Sequence, residues 1–249
     1  RKALPFGIAQ YGKAFRNEIS PRNFVFRCRE FSQMELEYFL HPDKLDECAA
    51  LSEKLLGLKL NACVDGKSFT ASVKELVEKK IIGTKWHGYW IAEFWDWLAM
   101  LGVKAENLRV RKHLKEELSH YSSETWDIEY NYPAWGFKEL MGIADRGTFD
   151  LTQHAKHSKK DYSVFDEASK QKVVPRVIEP SIGLDRLVLT LIVDAFSEKK
   201  SDDGVKTVLS LSPCVSPIQV CVFPLMKKDG LAQKAREVFE LLRRELACE

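Results

Sequence analysis

Between Phe15 and Glu30 the chain gathers Arg16, Arg22, Arg27 and Arg29 with Glu18 onto what reads as two short strands joined by a tight turn. A pairing that local fixes the geometry of its side chains early, because residues two apart on a strand share a face. Glu18 follows Arg16 by two. Arginine suits an anion, since its planar fork donates two parallel hydrogen bonds and stays charged at any working pH. A carboxylate beside it can accept from an amino group, so the adenine amino group and α-phosphate of one ATP would suit the pair. The bland alternative is a surface ion-pair cluster beside a core Phe31.

The rest of the chain sets wider bounds. With 249 residues, 45% hydrophobic, it reads as a soluble globular protein with one sizeable core and part of a second. A formal net charge of +2 announces no nucleic-acid binder, so such a partner would need a local basic face. No apolar run reaches the ~20 residues that cross a bilayer, and the N-terminus shows no signal-peptide layout, so no membrane partner is expected. The six cysteines are scattered without a C-x-x-C pair, which argues against zinc and against a disulfide framework and fits a reducing compartment.

Periodicity supplies the elements. Pro42-Asp43 is expected to open a helix running to Gly57, and a short helix is expected around Val73 to Glu78 within an irregular connection. Lys85 to Leu101 has Trp86, Tyr89, Trp90, Trp97 and Leu98 at helical spacing, which reads as a core stripe rather than a base-stacking platform. Leu108 to Arg111 reads as a strand, His113 to Tyr121 as a helix, and Trp126 to Tyr130 with Gly136 to Met141 as antiparallel strands. Gly142 to Arg146 reads as a turn, Thr148 to His154 as a strand and Lys156 to Lys172 as a surface excursion. Val173 to Ser181 is a strand ending at Gly183, feeding a helix with Leu184, Leu187, Val188 and Leu191 on one face. Ser201-Asp202-Asp203-Gly204 is a turn and Pro213 to Pro217 a linker. Ile218 to Leu225 is a continuous apolar strand, and Leu231 to Leu246 an amphipathic helix. A buried strand and helix after antiparallel strands imply a second, α/β unit.

Three placements stand out. Glu179-Pro180-Ser181 at a strand's end beside Gly183 suits a small cationic group, although Ser181 could equally cap the following helix. Arg186 sits in that helix's first turn, where a cation opposes the macrodipole, so it should face an anion or a π-surface. Glu139 and Arg146 flank Gly142, and a structural salt bridge between them is the simpler reading. The metal-like spacings of His113, His120, His154 and His157 find no second ligand cluster.

Taken in order, F-R-N-E at Phe15, G-x-A-D-R at Gly142 and E-P-S-x-G-x-D-R at Glu179 make the chain resemble the class II aminoacyl-tRNA synthetases, most closely the homodimeric glycyl type. The likeness runs from Leu4 to Leu246. The segment Gly136 to His154 and the run Arg29 to Glu35 match glycine enzymes rather than the class at large. The resemblance implies an α+β fold: a six- to seven-stranded antiparallel sheet flanked by helices over 1–212, then the start of an α/β anticodon-binding domain over 213–249. It also implies cytoplasmic glycine attachment to tRNA(Gly) through a glycyl-adenylate, with ATP and Mg2+ and without zinc, by a protein that is a homodimer at full length. Nothing matches the first class motif, the glycine loop expected before Leu4 or most of the anticodon domain, so a partial chain is expected.

Roles carried over by resemblance are as follows. Arg16 would hold the α-phosphate and Glu18 the adenine amino group, with Asn17 in the same segment. Phe26, Arg27, Cys28, Arg29, Glu30 and Phe31 would line the nucleotide, Phe31 stacking on adenine. Glu139 with Leu140 would contact ribose or Mg2+, and Gly183, Leu184, Asp185 and Arg186 would close the other side. Arg16 and Arg186 would be the catalytic pair. Glycine would lie among Phe31, Ser32, Gln33, Met34, Glu35, Arg146, Glu179, Pro180, Ser181, Ile182 and Gly183. A non-catalytic relative, of the polymerase accessory-subunit type, would keep the fold and lose this ATP grip. A sister synthetase for proline, threonine or serine is a nearer alternative, over which Glu35 and the Glu179-Pro180-Ser181 triplet favour glycine.

Overall fold

The computed structural model describes residues 3–201 and 204–249. Its centre is one sheet of eight strands: β1 (Phe6–Phe15), β2 (Glu30–Leu40), β3 (Lys59–Val64), β4 (Lys67–Ser72), β5 (Leu108–Lys112), β6 (Glu124–Tyr132), β7 (Gly136–Gly147) and β10 (Arg176–Gly183). The spatial order is β1-β2-β10-β7-β6-β5-β3-β4, and all neighbours are antiparallel except β3 and β5. The sheet is thus wider than the six to seven strands expected. The difference lies at residues 58–83, expected to be largely irregular. There the β3–β4 hairpin turns through Asp65 and Gly66, both at positive φ, before α2 (Val73–Glu78). Ser72 and Glu75 form a reciprocal capping box that starts α2 where the sequence puts it.

The tryptophan-rich stretch is α3 (Lys85–Met100), capped by Thr84. It lies across one face of the sheet and buries Trp86, Ile91, Trp95 and Leu98, which makes the aromatic stripe core. Its rings meet Tyr38 of β2 at 5.2 Å from Trp86 and 4.9 Å from Trp90. His87, fully buried, bonds the Ile143 carbonyl of β7 at 3.1 Å and lies 3.4 Å from the Glu124 carboxylate. Glu124 also accepts from the Gly83 and Trp126 N–H groups and pairs with Lys112. Burial would raise this carboxyl, but the bonds from His87, Lys112 and Trp126 win and hold it well below the usual range.

Several expected elements take other forms. The helix from Pro42 contracts to α1 (Glu53–Gly57), because residues 41–51 close in short i→i+3 turns before the Ser52 cap. No helix forms over 113–121; the Glu117 carboxylate takes the Leu114 N–H and the Arg111 guanidinium, which offers that backbone a local alternative. Thr148 to His154 is not a strand but part of α4 (Phe149–Ser158), stopped by Lys159 in the left-handed region. The surface excursion after it carries the small hairpin β8 (Val164–Asp166) and β9 (Gln171–Val173).

α5 (Leu184–Ala195) follows β10 directly and is tied to β6 by Tyr132 to Thr190 at 2.6 Å and Tyr130 to Asp194 at 3.0 Å. The hairpin β11 (Phe196–Ser201) and β12 (Gly204–Leu209) comes next, and the Asp202-Asp203 part of its expected turn lies outside the described residues. Ile218 to Leu225 is no buried strand. Val220 makes a single parallel bridge to Cys248, while Phe223 and Leu225 are exposed. A fully apolar strand needs cover on both faces, and only α6 (Leu231–Leu242) stands near it in sequence. No described helix is long and apolar enough to cross a membrane.

Candidate active site

Strand alternation sorts the predicted residues onto two faces. Met34, Pro180 and Ile182 line the α3 side of the sheet with Phe94, Trp97 and Met141, and Leu140 is fully buried. Of the predicted set, these four therefore do not reach the open face with their side chains; only their backbone could meet a ligand there. The alternate residues Phe31, Gln33, Ser181 and Gly183 line an open cleft on the other face, with Arg16, Glu18, Val25, Phe26, Arg27, Cys28, Glu139, Asp185 and Arg186. Val25 is the one lining residue the sequence did not single out.

The cleft wall is a loop, not the strand pair expected. β1 ends at Phe15 and β2 begins only at Glu30. Between them Asn23 and Phe24 take positive φ and a 3-10 turn spans Phe24–Phe26. The Arg16 N–H bonds the Arg29 carbonyl at 2.9 Å, the Arg29 guanidinium bonds the Glu18 carbonyl at 2.9 Å, and Arg27 lies 3.7 Å from the Glu18 carboxylate. Arg16 stands 5.3 Å over the Phe31 ring. Asn17 and Arg29 are exposed on the loop, and Glu30 is drawn to Lys13 at 3.2 Å.

Opposite, Arg186 reaches back from α5. It bonds the Phe26 carbonyl at 2.8 Å and the Glu139 carbonyl at 3.0 Å, stands 5.7 Å from the Phe26 ring and pairs with the Glu139 carboxylate at 3.3 Å. The expectation of a π-surface for this helix-start cation holds. Asp185, in the same turn, accepts the Ser32 N–H at 3.0 Å, while Leu184 packs into the core. Ser181 does not cap α5. The cap position is Gly183, and Ser181 instead accepts from the Gln33 amide at 2.8 Å.

Deeper on the same face lie the charges. Arg146 does not pair with Glu139; it bonds Glu179 and, at 2.6 Å, Asp150 of α4, and stacks 4.3 Å over Tyr121. Gly142 to Arg146 is no turn but the second half of β7, and buried Asp145 clamps Arg176 at 2.8 Å. Glu37, two residues beyond Glu35 on β2, escaped the sequence reading. Burial, then Glu179, push its carboxyl up to about 7 against the pull of Arg146, with Glu35 and Asp150 adding to the rise. Glu37, Glu179 and Asp150 thus share Arg146, with Glu35 adding its charge beside Glu37. Carboxylates there outnumber the arginine, which leaves the cluster short of positive charge.

His113 bonds Asp127 at 2.7 Å, which raises its pKa, and His120 and His154 pack against aromatic rings. Among the described residues no group of three potential metal ligands comes together. Glu139, its side chain half exposed at the cleft rim, is a single hard oxygen donor, the kind that serves Mg2+ only alongside phosphate oxygens.

The chain is similar along its length to curated proteins. A glycine–tRNA ligase of Acetivibrio thermocellus is 43% identical over 250 aligned residues, covering all of this chain and 45% of the relative. That of Clostridium kluyveri is 44% identical over 246 residues, 98% of this chain and 44% of the relative, and that of Geobacillus kaustophilus 42% over 243 residues, with shares of 97% and 44%. No family model matches the chain. Over its whole length, then, the chain is related to the glycine–tRNA ligases, and it spans about 45% of the length of such a relative.

Proposed function

We propose that this chain is the adenylate-forming centre of a glycine–tRNA ligase. ATP would lie in the cleft with its base between Phe31 and the Phe26–Arg186 side, its amino group on Glu18 and its α-phosphate on Arg16. The observation that carries the reading is the pairing of this two-arginine cleft with a carboxylate cluster short of a cation. The ammonium of glycine would supply that cation between Glu35, Glu37 and Glu179, and Arg146 would orient the carboxylate.

The chemistry asks for little more than positioning. A carboxylate oxygen of glycine attacks the α-phosphorus in line, the bond to the bridging oxygen breaks, and pyrophosphate leaves. The acyl group then passes to the terminal ribose of tRNA(Gly), releasing AMP. No proton need be taken from the nucleophile, so arginines in place of a general base suit the step. Mg2+ held by the phosphates and Glu139 would neutralise charge on the leaving group. We assign 1–212 to this catalytic unit and 213–249 to the start of an anticodon-binding unit, in a cytoplasmic enzyme that is a homodimer at full length.

Glycine-dependent ATP–pyrophosphate exchange by the full-length protein tests the reading. A charge-assisted hydrogen bond is worth ~1.5–3 kcal/mol, so Arg16→Ala and Arg186→Ala should each slow exchange at least tenfold with the fold retained. Near wild-type rates in both variants would remove the two residues from the mechanism. No exchange by the wild type with any amino acid would favour a non-catalytic relative.

A further inference from the structure

Across the open face runs one continuous row of register partners. Glu35 of β2 faces Ser181 of β10, Ser181 faces Gly142 of β7, Gly142 faces Asp127 of β6, and Asp127 faces Arg111 of β5. Four of the five carry polar side chains. The fifth carries none, and it sits in the middle of a twelve-residue strand, where glycine costs ~0.5–1 kcal/mol relative to alanine.

Neither usual reason for a strand glycine applies. The backbone of Gly142 is not among those at positive φ, so no left-handed turn requires it. A methyl built there would meet only the Asp127 carboxylate, at 3.7 Å, an ordinary van der Waals contact. Gly7 and Gly88 differ, because a methyl there would strike neighbours at 2.9 Å and 2.7 Å. The nearby bulge falls at Leu140, while Gly142 itself pairs regularly with Ser181 and Asp127, so what remains is close approach from outside the chain. Gly142 is partly open to solvent, flanked by the Ser181 hydroxyl on one side and the Asp127 carboxylate on the other. Adjacent strands lie ~4.8 Å apart, so β10 and β6 stand roughly 10 Å apart across β7, and the Asp127 carboxylate leans into that span to 3.7 Å from the methyl position. Asp127 itself is held by Arg111 at 3.1 Å and His113 at 2.7 Å, so its side of the gap is fixed.

We propose that Gly142 is the floor of the amino-acid subsite: the substrate's α-carbon lies over the bare backbone of β7, between Ser181 and Asp127. This rests on the reading of the cleft as an amino-acid-activating site and adds to it a specificity-determining residue. Glycine has no side chain to grip, so selection against larger amino acids must come from depth. The pocket is then deep enough for the backbone atoms of the substrate because β7 gives up a side chain.

Gly142→Ala in the full-length protein separates this from a structural role. The expected result is a KM for glycine raised at least tenfold, a KM for ATP changed less than twofold, and a thermal midpoint equal to or above wild type. A KM for glycine within twofold of wild type would overturn the proposal. So would a variant that fails to fold, because the strand rather than the ligand would then require the missing methyl. If the wild type activates a different amino acid, the functional reading fails by itself, and the same KM comparison with that amino acid decides the role of Gly142.

Discussion

Glu37 keeps its proton to about pH 7 because β2 sets it, half-buried, beside Glu179, with only Arg146 to offset the charge. Its folded pKa lies above the carboxylate value of an unfolded chain, so the folded state binds more protons between about pH 4.5 and 7. Stability contributed by the protonated form is complete at the acid end of that window and is lost as pH rises through it. Glu37→Gln should therefore stabilise the protein most above pH 7, by on the order of 1 kcal/mol after solvent screening, and little at pH 4.5. Denaturant titrations at the two pH values check this; an equal gain at both would mean that Glu37 is not the strained group. The same variant should raise the KM for glycine several-fold by removing a charge from the ammonium site. The sequence names Glu35, Glu179 and Arg146, whose motifs are contiguous or nearly so. It hides Glu37, whose state depends on partners more than 100 positions away in the chain.

At the scale of elements, strong local signals survived and weak ones yielded to tertiary partners. α2 and α3 stand where their caps and apolar periods put them, and β10 feeds α5 as its strand-then-helix pattern demands. The arginine-rich segment reads as two strands and a tight turn, with Arg16 and Glu18 on one face, yet Asn23 and Phe24 at positive φ break the extended run. Thr148 to His154 reads as a strand but belongs to α4, whose first-turn Asp150 takes Arg146 of β7 at 2.6 Å. Packing of α3 on the sheet has its own chemical lock in Glu124. Removing it takes the acceptor from the Trp126 and Gly83 N–H groups and the negative charge from beside Lys112 and buried His87, so Glu124→Ala should cost ~3–5 kcal/mol. A depressed carboxyl contributes its stability above the unfolded pKa and loses it as pH falls through the folded one. The gap between wild type and variant should accordingly be widest at neutral pH and shrink in acid. A gap independent of pH would show that packing, not charge, supplies the lock.

For the whole molecule, the chain spans about 45% of the length of such a relative, and apolar side chains stand open at widely separated places. Tyr11 on the edge strand β1, Ile192 and Phe196 at the end of α5, and Phe223 and Leu225 beside α6 are exposed. Where such side chains join into contiguous patches, they are normally covered by partners or further chain. Residues 1–249 expressed alone should bind a hydrophobic dye, associate with concentration and charge tRNA poorly. A monodisperse monomer that glycylates tRNA at the rate of the full-length protein would contradict this. The central claim concerns the cleft and the carboxylate cluster together, and amino-acid-dependent pyrophosphate exchange tests it most directly when the full-length protein is offered each of the twenty amino acids. The account predicts exchange with glycine, and alanine at least tenfold poorer despite a difference of one methyl. Exchange led by any other amino acid would contradict it.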